Sequence, residues 1–355
     1  MLLPMSDQGK SRDLGVAVLG GGHWGPHLIR NFHDNPRSHV VVVAEPRTDR
    51  RNALAERFRS IRFEDNATAA ITDPEVGAVV VATPTSTHYS LARQALEQGK
   101  HVLVEKPLAD RAKHARELCE IAGQQDLRLM VGHVFLFNPA IQSAKNIIDD
   151  GGLGDVFYAS MLRTNLGPVR TDVNAAWDLA THDISIANYW LASSPVSVSA
   201  RGGSWLNPGI DDAVFATLDY PEGTMVHIHA SWLNPRKSRF ISVTGSKRML
   251  TVNDMDLSEP LRIYDKGVDG GPSDQVHDTF GAFRAHIREG SITIPNVSLG
   301  EPLRVECESF VDRIFNVTDN RSDGWTGLEV VRVLEAITLS ADRRGALVKL
   351  DEVGS

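Results

Sequence analysis

Through the first third of the chain, runs of consecutive aliphatic residues alternate with amphipathic stretches. Gly15–Leu19 (GVAVL), His39–Ala44 (HVVVVA), Ala78–Ala82 (AVVVA), His101–Val104 (HVLV) and Leu127–Val131 (LRLMV) predict strands. Apolar residues without alternation are what a parallel sheet covered on both faces requires. Between them, Asp49–Phe58, Ser86–Gln98 and Asp110–Gln124 carry alanine and leucine at three- and four-residue spacing, with charges on the other side. That is the stripe of a helix lying on a sheet. Strand, helix and parallel strand in repetition mean βαβ units and a doubly wound sheet.

After Gly132 the pattern changes. Asp155–Arg163, Pro195–Ala200, Ala213–Tyr220, Thr224–Trp232, Phe240–Thr244 and Met249–Val252 alternate in polarity, and Pro221-Glu222-Gly223 between two of them is a turn signal. These predict a mostly antiparallel sheet with one face covered. A helix over Ala176–Leu191 interrupts the strands, and Glu301–Phe315 and Gly327–Ser340 are later helices. The expected fold class is therefore α/β. A doubly wound parallel domain spans residues 12–132, an α/β domain with a large open, mostly antiparallel sheet spans 133–355, and a cleft lies between them. No repeat of fixed period and no long linker interrupts this plan.

Composition narrows the function. The 355 residues suit about two domains at roughly 150 residues each. With 42% hydrophobic and 23% charged residues, disordered and low-complexity classes are excluded. A net charge of -8 provides no bulk basic field for nucleic acid or an anionic membrane. The two cysteines, Cys119 and Cys307, form no CxxC and are too few for a disulfide scaffold or a cysteine-based metal site. The opening MLLPMSDQGKSRD lacks a basic segment followed by a long apolar one, and no run approaches the eighteen or so apolar residues of a membrane span. The expectation is a soluble, cytoplasmic protein with no nucleic-acid or membrane partner.

The first strand leads into Gly20-Gly21-Gly22-His23-Trp24-Gly25, a G-x-G-x-x-G that opens a helix over Trp24–Phe32. The first glycine permits the tight turn, the second lets backbone approach a pyrophosphate, and the third lets helix pack on strand. The helix N-terminus offers N–H groups and a positive dipole end to phosphate. Glu45 ends the second strand 25 residues after Gly20, where a carboxylate accepts hydrogen bonds from a ribose diol. It repels a 2′-phosphate, which favours NAD over NADP. Arg47 either holds such a phosphate or stacks on adenine, whereas Arg50 and Arg51 read as a solvated helix face.

Further chemistry-bearing groups stand at strand ends. Ala82-Thr83-Pro84-Thr85-Ser86-Thr87-His88 follows one strand, where either a ligand loop or a helix N-cap at Thr85 or Ser86 explains the polar residues. Glu105-Lys106-Pro107 follows the next, and Lys106 is either an exposed structural lysine or a donor to a substrate hydroxyl. Asp178 and His182 stand at i and i+4 in a predicted helix and share a face, as a surface ion pair or as a carboxylate-oriented proton acceptor. Arg163, with Thr164 and Asn165, ends a strand; it grips an anionic substrate group or is a rim arginine. Trp177 walls a sugar pocket or anchors its helix. His227 and His229 alternate on one strand face without a third ligand at usable spacing, so no metal site is expected. Cys119, in an apolar helical pattern, reads as core.

The segments GGGHWG, ATPTSTH, GKHVLVEKP and WDLATHD, in this order, resemble the Gfo/Idh/MocA oxidoreductases, relatives of glucose–fructose oxidoreductase and inositol 2-dehydrogenase. The resemblance runs from about Gly15 to Leu350. It implies a Rossmann domain followed by an α/β domain whose open sheet forms a homodimer or homotetramer. It also implies NAD(P)-linked oxidation or reduction of a sugar or cyclitol carbon. Lys106 matches the lysine of the EKP motif, next to the reacting carbon and nicotinamide. Asp178 and His182 match the family's second-domain pair, and which of His182 and Lys106 accepts the proton stays open. Cofactor contacts are expected from Gly20, Gly22, His23, Trp24, Gly25, Glu45, Arg47, Thr83, Pro84, His88, Glu105 and Lys106, and substrate contacts from Arg163, Asn165 and Trp177.

GHWGPHLIRNF, WDLATHDIS, SWLNPRKSR, VTGSKRML and EPLRVECESF are similar to the branch that oxidises the C3 hydroxyl of UDP-N-acetylglucosamine or its uronate. Thr181 and His133-Val134-Phe135 depart from that pattern, the latter replacing an arginine-containing segment. A free-sugar or inositol dehydrogenase or a ketosugar reductase is the alternative enzyme, and a non-catalytic NAD(P)-sensing regulator the alternative class. A free cyclitol needs no cation such as Arg163 for a diphosphate. A regulator predicts loss of Lys106 or His182, and both are present.

Overall fold

The computed structural model describes residues 13–268, 287–298, 300–315 and 320–354. The chain forms two units, one made of Met1–Val134 with Leu303–Leu328 and the other of Phe135–Pro302 with Glu329–Ser355.

In the first unit six strands form a parallel sheet: β1 (Leu14–Leu19), β2 (Ser38–Ala44), β3 (Arg62–Glu64), β4 (Ala78–Val81), β5 (His101–Glu105) and β6 (Leu129–Gly132). Their order is β3-β2-β1-β4-β5-β6, the doubly wound arrangement read from the aliphatic runs. Every residue of β1 and β4 is buried, as a sheet covered on both faces demands. The covering helices include α1 (Gly25–Asp34), α2 (Thr48–Arg57), α3 (Ala67–Thr72), α4 (His88–Glu97) and α5 (Ala112–Gln124). Strand order reverses between β1 and β4, and such sheets bind ligands beyond the carboxyl ends of the strands at that point. Strand β3 (RFE) has no aliphatic run and pairs with Val42–Ala44 at the sheet edge, so it left no hydrophobic signal.

The second unit opens with α6 (Pro139–Asp149), whose N-terminus is capped by the Asn138 side chain accepting from Ala140 N–H at 2.8 Å. Its strands are β7 (Val156–Leu166), β8 (Ser197–Gly203), β9 (Ala213–Asp219), β10 (Met225–Ser231), β11 (Leu233–Gly245), β12 (Met249–Asn253), β13 (Leu261–Tyr264), β14 (Gly267–Val268), β15 (Ile287–Arg288), β16 (Ile292–Thr293) and β17 (Val348–Lys349). Nine of them form one sheet in the order β16-β13-β12-β11-β7-β10-β9-β8-β17. β7 and β10 run parallel, and the other pairs are antiparallel. At the Pro-Glu-Gly turn between β9 and β10, Glu222 adopts φ +63° and Gly223 φ +84°. One face of the sheet buries Met161, Ala216, Ile228 and Val243, while Tyr158, Phe215, Met225 and Phe240 on the other remain exposed. Helix α7 (Thr181–Leu191) is buried from Thr181 through Ala187.

Two helices close the chain, α8 (Pro302–Ile314) and α9 (Gly324–Asp342). Residues 303–328, read from the sequence as part of the second domain, cluster with the first unit. There Phe310 of α8 meets Phe32 of α1 edge-on at 6.2 Å, and Arg37 pairs with Asp312. The Ser322 carbonyl and hydroxyl beside β6 extend that edge, with Val131 N–H donating to the Ser322 carbonyl at 2.9 Å and the Ser322 hydroxyl donating to the Val131 carbonyl at 2.5 Å. Among the described residues, no helix is long and apolar enough to cross a membrane.

Candidate active site

The glycine turn after β1 separates into three jobs. Gly20 adopts φ +99°, and a Cβ there would lie 2.5 Å from the Ala82 carbonyl oxygen. A Cβ on Gly25 would strike the Gly20 carbonyl, which is how closely α1 packs on the turn. Gly22 is different. Among the described residues its Cβ would meet only Arg50 Nη1, at 3.6 Å, so none of them demands a glycine there. His23 is exposed and Trp24 is 36% exposed, their rings edge-on at 5.6 Å beside the start of α1. An open glycine before a helix N-terminus suits a pyrophosphate. Accordingly Gly20→Ala is expected to destabilise the protein by roughly 1–3 kcal/mol through backbone strain. Gly22→Ala is expected to keep the melting temperature and weaken NAD binding at least about tenfold, 1.4 kcal/mol. Calorimetric titration decides it, and unchanged affinity in Gly22→Ala would remove that residue from the cofactor's path.

Glu45 closes β2. It is 4% exposed, and its two oxygens accept the Gly21 N–H at 2.8 Å and the Arg47 N–H at 3.0 Å. Each carboxylate oxygen has a second lone pair for a ribose hydroxyl. The Arg47 guanidinium lies 3.6 Å from the same carboxylate. Arg51, read from the sequence as a solvated helix face, instead donates to the Glu45 and Pro46 carbonyls at 2.8 and 3.2 Å. Both arginines therefore brace the strand end, which leaves the acidic group facing the turn and suits NAD rather than NADP.

At the ends of β4 and β5, two loops are tied together by His88. This side chain is buried, with Nε2 2.8 Å from the Thr83 carbonyl and Nδ1 2.8 Å from the Pro107 carbonyl. The sequence placed His88 among the cofactor contacts. Both ring nitrogens lie against main chain instead, so it organises the loops that carry Thr83 and Lys106. Thr83 is half-buried and its hydroxyl accepts from Thr87 at 2.7 Å, whereas Pro84 is exposed. Neither Thr85 nor Ser86 caps α4, which starts from Thr87 without a side-chain cap.

Lys106 is half-buried, and its N–H donates to Glu105 Oε2 at 3.3 Å. Burial pushes the Glu105 carboxyl up to about 7, against the pull of the Lys106 cation. His133, just past β6, is 1% exposed, and neither ring nitrogen has a hydrogen-bond partner among the described residues. Burial, with Lys106 adding its charge, drives His133 down to about 3, so the ring is neutral. Glu306 on α8 completes the set and is 1% exposed.

The second unit supplies another group. Ala176–Ala180 forms one wide turn with i to i+5 bonding, which runs into α7. Such turns insert a residue into the helical step and recur at functional sites. Asp178 lies in the wide turn and His182 in the first turn of α7, so the regular i, i+4 face expected of them is interrupted. The Asp178 carboxylate accepts from Trp232 Nε1 at 3.1 Å and from Arg170 Nη1 at 3.2 Å. His182 is buried, its ring edge-on to Phe135 at 4.8 Å.

Arg163 departs most from expectation. It is 4% exposed and forks onto Asp183, with Nε 3.0 Å from both carboxylate oxygens and Nη2 2.8 Å from one. Its guanidinium carbon also lies 4.4 Å from the centre of the Phe135 ring. This pair holds α7 to β7. Asn165 donates to the Gly167 carbonyl at 2.6 Å, and Trp177 donates to the Thr338 hydroxyl at 3.1 Å, which anchors its helix. His229 stacks on Phe215 at 4.3 Å on the exposed sheet face. Cys119 and Cys307 are buried thiols, and burial pushes Cys119 up to about 12.

The pairing of Asp183 with Arg163 and the ring contact of Phe135 were not visible in the sequence. Asp183 is one of two aspartates beside His182, and spacing alone singled out Asp178. His133 and Glu306 come within electrostatic reach of Lys106 and Glu105 only through the fold of the first unit.

Comparison with known proteins agrees with this architecture. Residues 14–133 match the model described as oxidoreductase family, NAD-binding Rossmann fold, and residues 141–251 match the GFO/IDH/MocA C-terminal domain. Together these account for more than half the chain. The scyllo-inositol 2-dehydrogenase (NAD(+)) of Bacillus subtilis is 28% identical over 230 residues, covering 62% of this chain and 67% of that one. The UDP-N-acetylglucosamine 3-dehydrogenase of Acidithiobacillus ferrooxidans is 28% identical over 253 residues, covering 71% and 77%. A solved structure of the latter enzyme superposes with a TM-score of 0.78 at 24% identity, covering 93% of this chain and 98% of that one.

Proposed function

The chain belongs to the Gfo/Idh/MocA oxidoreductases, and we propose that it oxidises a carbinol carbon of a free sugar or cyclitol with NAD. The observation that carries the substrate class is Arg163. A sugar nucleotide brings a diphosphate that needs a cation, and the arginine placed by sequence for that task is buried on Asp183. The similarity to scyllo-inositol 2-dehydrogenase points the same way. The second reading, oxidation of a UDP-N-acetyl sugar at C3, is favoured by the similarity to the Acidithiobacillus enzyme. A non-catalytic NAD(P)-sensing regulator is disfavoured because both Lys106 and His182 are retained.

NAD held here would supply the hydride acceptor for the carbinol carbon. Gly20, Gly22, Gly25 and the start of α1 would hold its pyrophosphate, and Glu45 would accept a hydrogen bond from a ribose hydroxyl. Lys106 stabilises the oxygen as it becomes an alkoxide. His182 accepts the hydroxyl proton, while Asp178 and the Phe135 ring set the wide turn and the ring orientation. Reduction of a ketosugar runs the same steps backward.

A nicotinamide absorbance assay against inositols, free aldoses, UDP-sugars and dTDP-sugars separates the readings. It is read both under turnover and on stoichiometric enzyme, since a tightly held cofactor gives a single turnover. Signal from a free polyol alone is the expected result, and signal from a UDP-N-acetyl sugar alone would transfer the assignment to the second reading.

The oligomer proposed with this function is a homodimer or homotetramer paired through the nine-stranded sheet. Tyr158, Phe215, Met225 and Phe240 form an exposed apolar field on its outer face, of a kind that a second copy covers. Light scattering is expected to give twice or four times the chain mass, and Phe215→Asp with Met225→Asp to give the monomer. A monomeric parent protein would reject the pairing.

A further inference from the structure

The largest fully buried side chain among the described residues has no part in the proposed reaction. Trp232 stands between β10 and β11 and continues the buried alternation of Val226, Ile228 and Ala230, so its indole enters the covered face of the sheet. An indole N–H only donates, and once buried it needs an acceptor. Here the acceptor is Asp178 Oδ2, at 3.1 Å.

Both ends of this bond are fixed to the same two residues. The Trp232 N–H donates to the Asp212 carbonyl at 3.0 Å, and the Ala175 N–H, at the entry to the wide turn, donates to the Asp211 carbonyl at 2.9 Å. Asp212 is itself buried, and its Oδ2 accepts the N–H groups of Trp205 and Leu206 at 2.6 and 2.8 Å. The Trp232 carbonyl accepts the Gly167 N–H at 3.1 Å. At the other end, Asn174 accepts the Asp178 N–H on its carbonyl and the Trp177 N–H on its side chain, each at 3.1 Å. A donor held through its own main chain thus meets an acceptor held through its own.

Arg170, the second donor to Asp178, is of another kind. Its side chain is 33% exposed, and it forks onto Asp172 at 2.9 and 2.6 Å while reaching Asp178 Oδ1 at 3.2 Å. Solvent screens such a pair, and a long side chain loses entropy to hold it. The indole is rigid, neutral and buried, so it is the donor able to fix which way the carboxylate faces.

We propose that Trp232 is a positioning residue, whose indole N–H sets the orientation of the Asp178 carboxylate for its task at His182. The inference rests on the assignment of Asp178 and His182 to proton transfer. A misdirected carboxylate leaves substrate binding intact and slows the step in which the proton moves, so the loss falls on kcat rather than KM.

The test is a double-mutant cycle on the full-length protein with NAD and myo-inositol, joined to NMR of the tryptophan indole N–H groups. W232F keeps an aromatic ring and deletes the donor. It is expected to lower kcat about ten- to thirtyfold, the worth of one hydrogen bond to a charged group, with KM within about twofold. In D178A, which is slower still, adding W232F is expected to change kcat by less than about twofold, because its partner is already gone. Six tryptophans give six indole signals. W232F identifies one by its loss, and that signal is expected to move upfield in D178A. Unchanged kcat in W232F, multiplied losses in the double variant, or a signal unmoved in D178A would overturn the proposal. Near-normal kcat in D178A would instead reject the proton-transfer reading, and the role of Trp232 with it. Where W232F fails to fold, or wild type does not turn over myo-inositol, the D178A shift decides alone, with the Trp177 signal identified in W177F.

Discussion

Lys106→Ala is expected to lower kcat by about three orders of magnitude and to leave NAD affinity within about threefold. The size follows from what an ammonium at the reacting oxygen supplies. In the proposed mechanism it is a charge aimed at the position where negative charge develops, in a site whose neighbours are poorly solvated. His133 beside it is neutral through burial, and Glu105 next to it is held up to about 7. In such surroundings the ammonium is worth several kcal/mol to the transition state. In the proposed mechanism the glycine turn and α1 hold the cofactor's phosphates, away from Lys106, so affinity for NAD is expected to survive. Lys106→Arg is expected to recover little, because a planar fork does not replace a compact point charge. Stopped-flow single turnovers with calorimetric NAD binding measure both quantities, and near-normal turnover in Lys106→Ala would refute the role.

Arg163→Met is expected to cost about 3–5 kcal/mol of stability, because it strands the Asp183 carboxylate in the interior. The two side chains are 5% and 2% exposed and joined by three hydrogen-bond contacts of 2.8–3.0 Å. Burial pushes Asp183 upward while Arg163 and Arg239 pull against it, so without Arg163 the carboxyl takes up a proton or the packing fails. For a unit of this size the loss corresponds to a fall of roughly 10 °C in Tm. Replacing both partners, Arg163→Met with Asp183→Leu, is expected to restore more than half of that loss, since two apolar groups leave nothing unpaired. A grip on substrate predicts the opposite result, a large rise in KM at unchanged Tm. Thermal unfolding of the single and double variants, with KM for each, separates the two.

The sheet of the first unit was legible because its strands are continuous aliphatic runs, and β3 was not, because Arg62-Phe63-Glu64 at the edge carries no such run. The return of α8 to that unit had no local signature. Its apolar stripe specifies that it packs, and a stripe does not name the sheet it packs on. The glycine turn and Glu45 were legible from spacing alone. Side-chain partnerships were less so. Arg163 reads from the sequence as the end of a strand, yet β7 runs on to Leu166 and Asp183, 20 residues away, takes its fork. His88 carries the chemistry of a ligand contact, and the loops it joins meet only in the fold. Asp178 and His182 have helical spacing, and a wide turn at Ala176–Ala180 interrupts the face that spacing assumes.

The central claim is NAD-linked oxidation of a sugar or cyclitol carbinol that depends on Lys106. Its most direct measurement is a single turnover on stoichiometric enzyme with a polyol deuterated at the carbinol carbon. The expected result is one deuterium recovered in the reduced cofactor per active site, with the yield in Lys106→Ala lost on the same timescale. Deuterium retained in an unoxidised product or released to water would contradict the account.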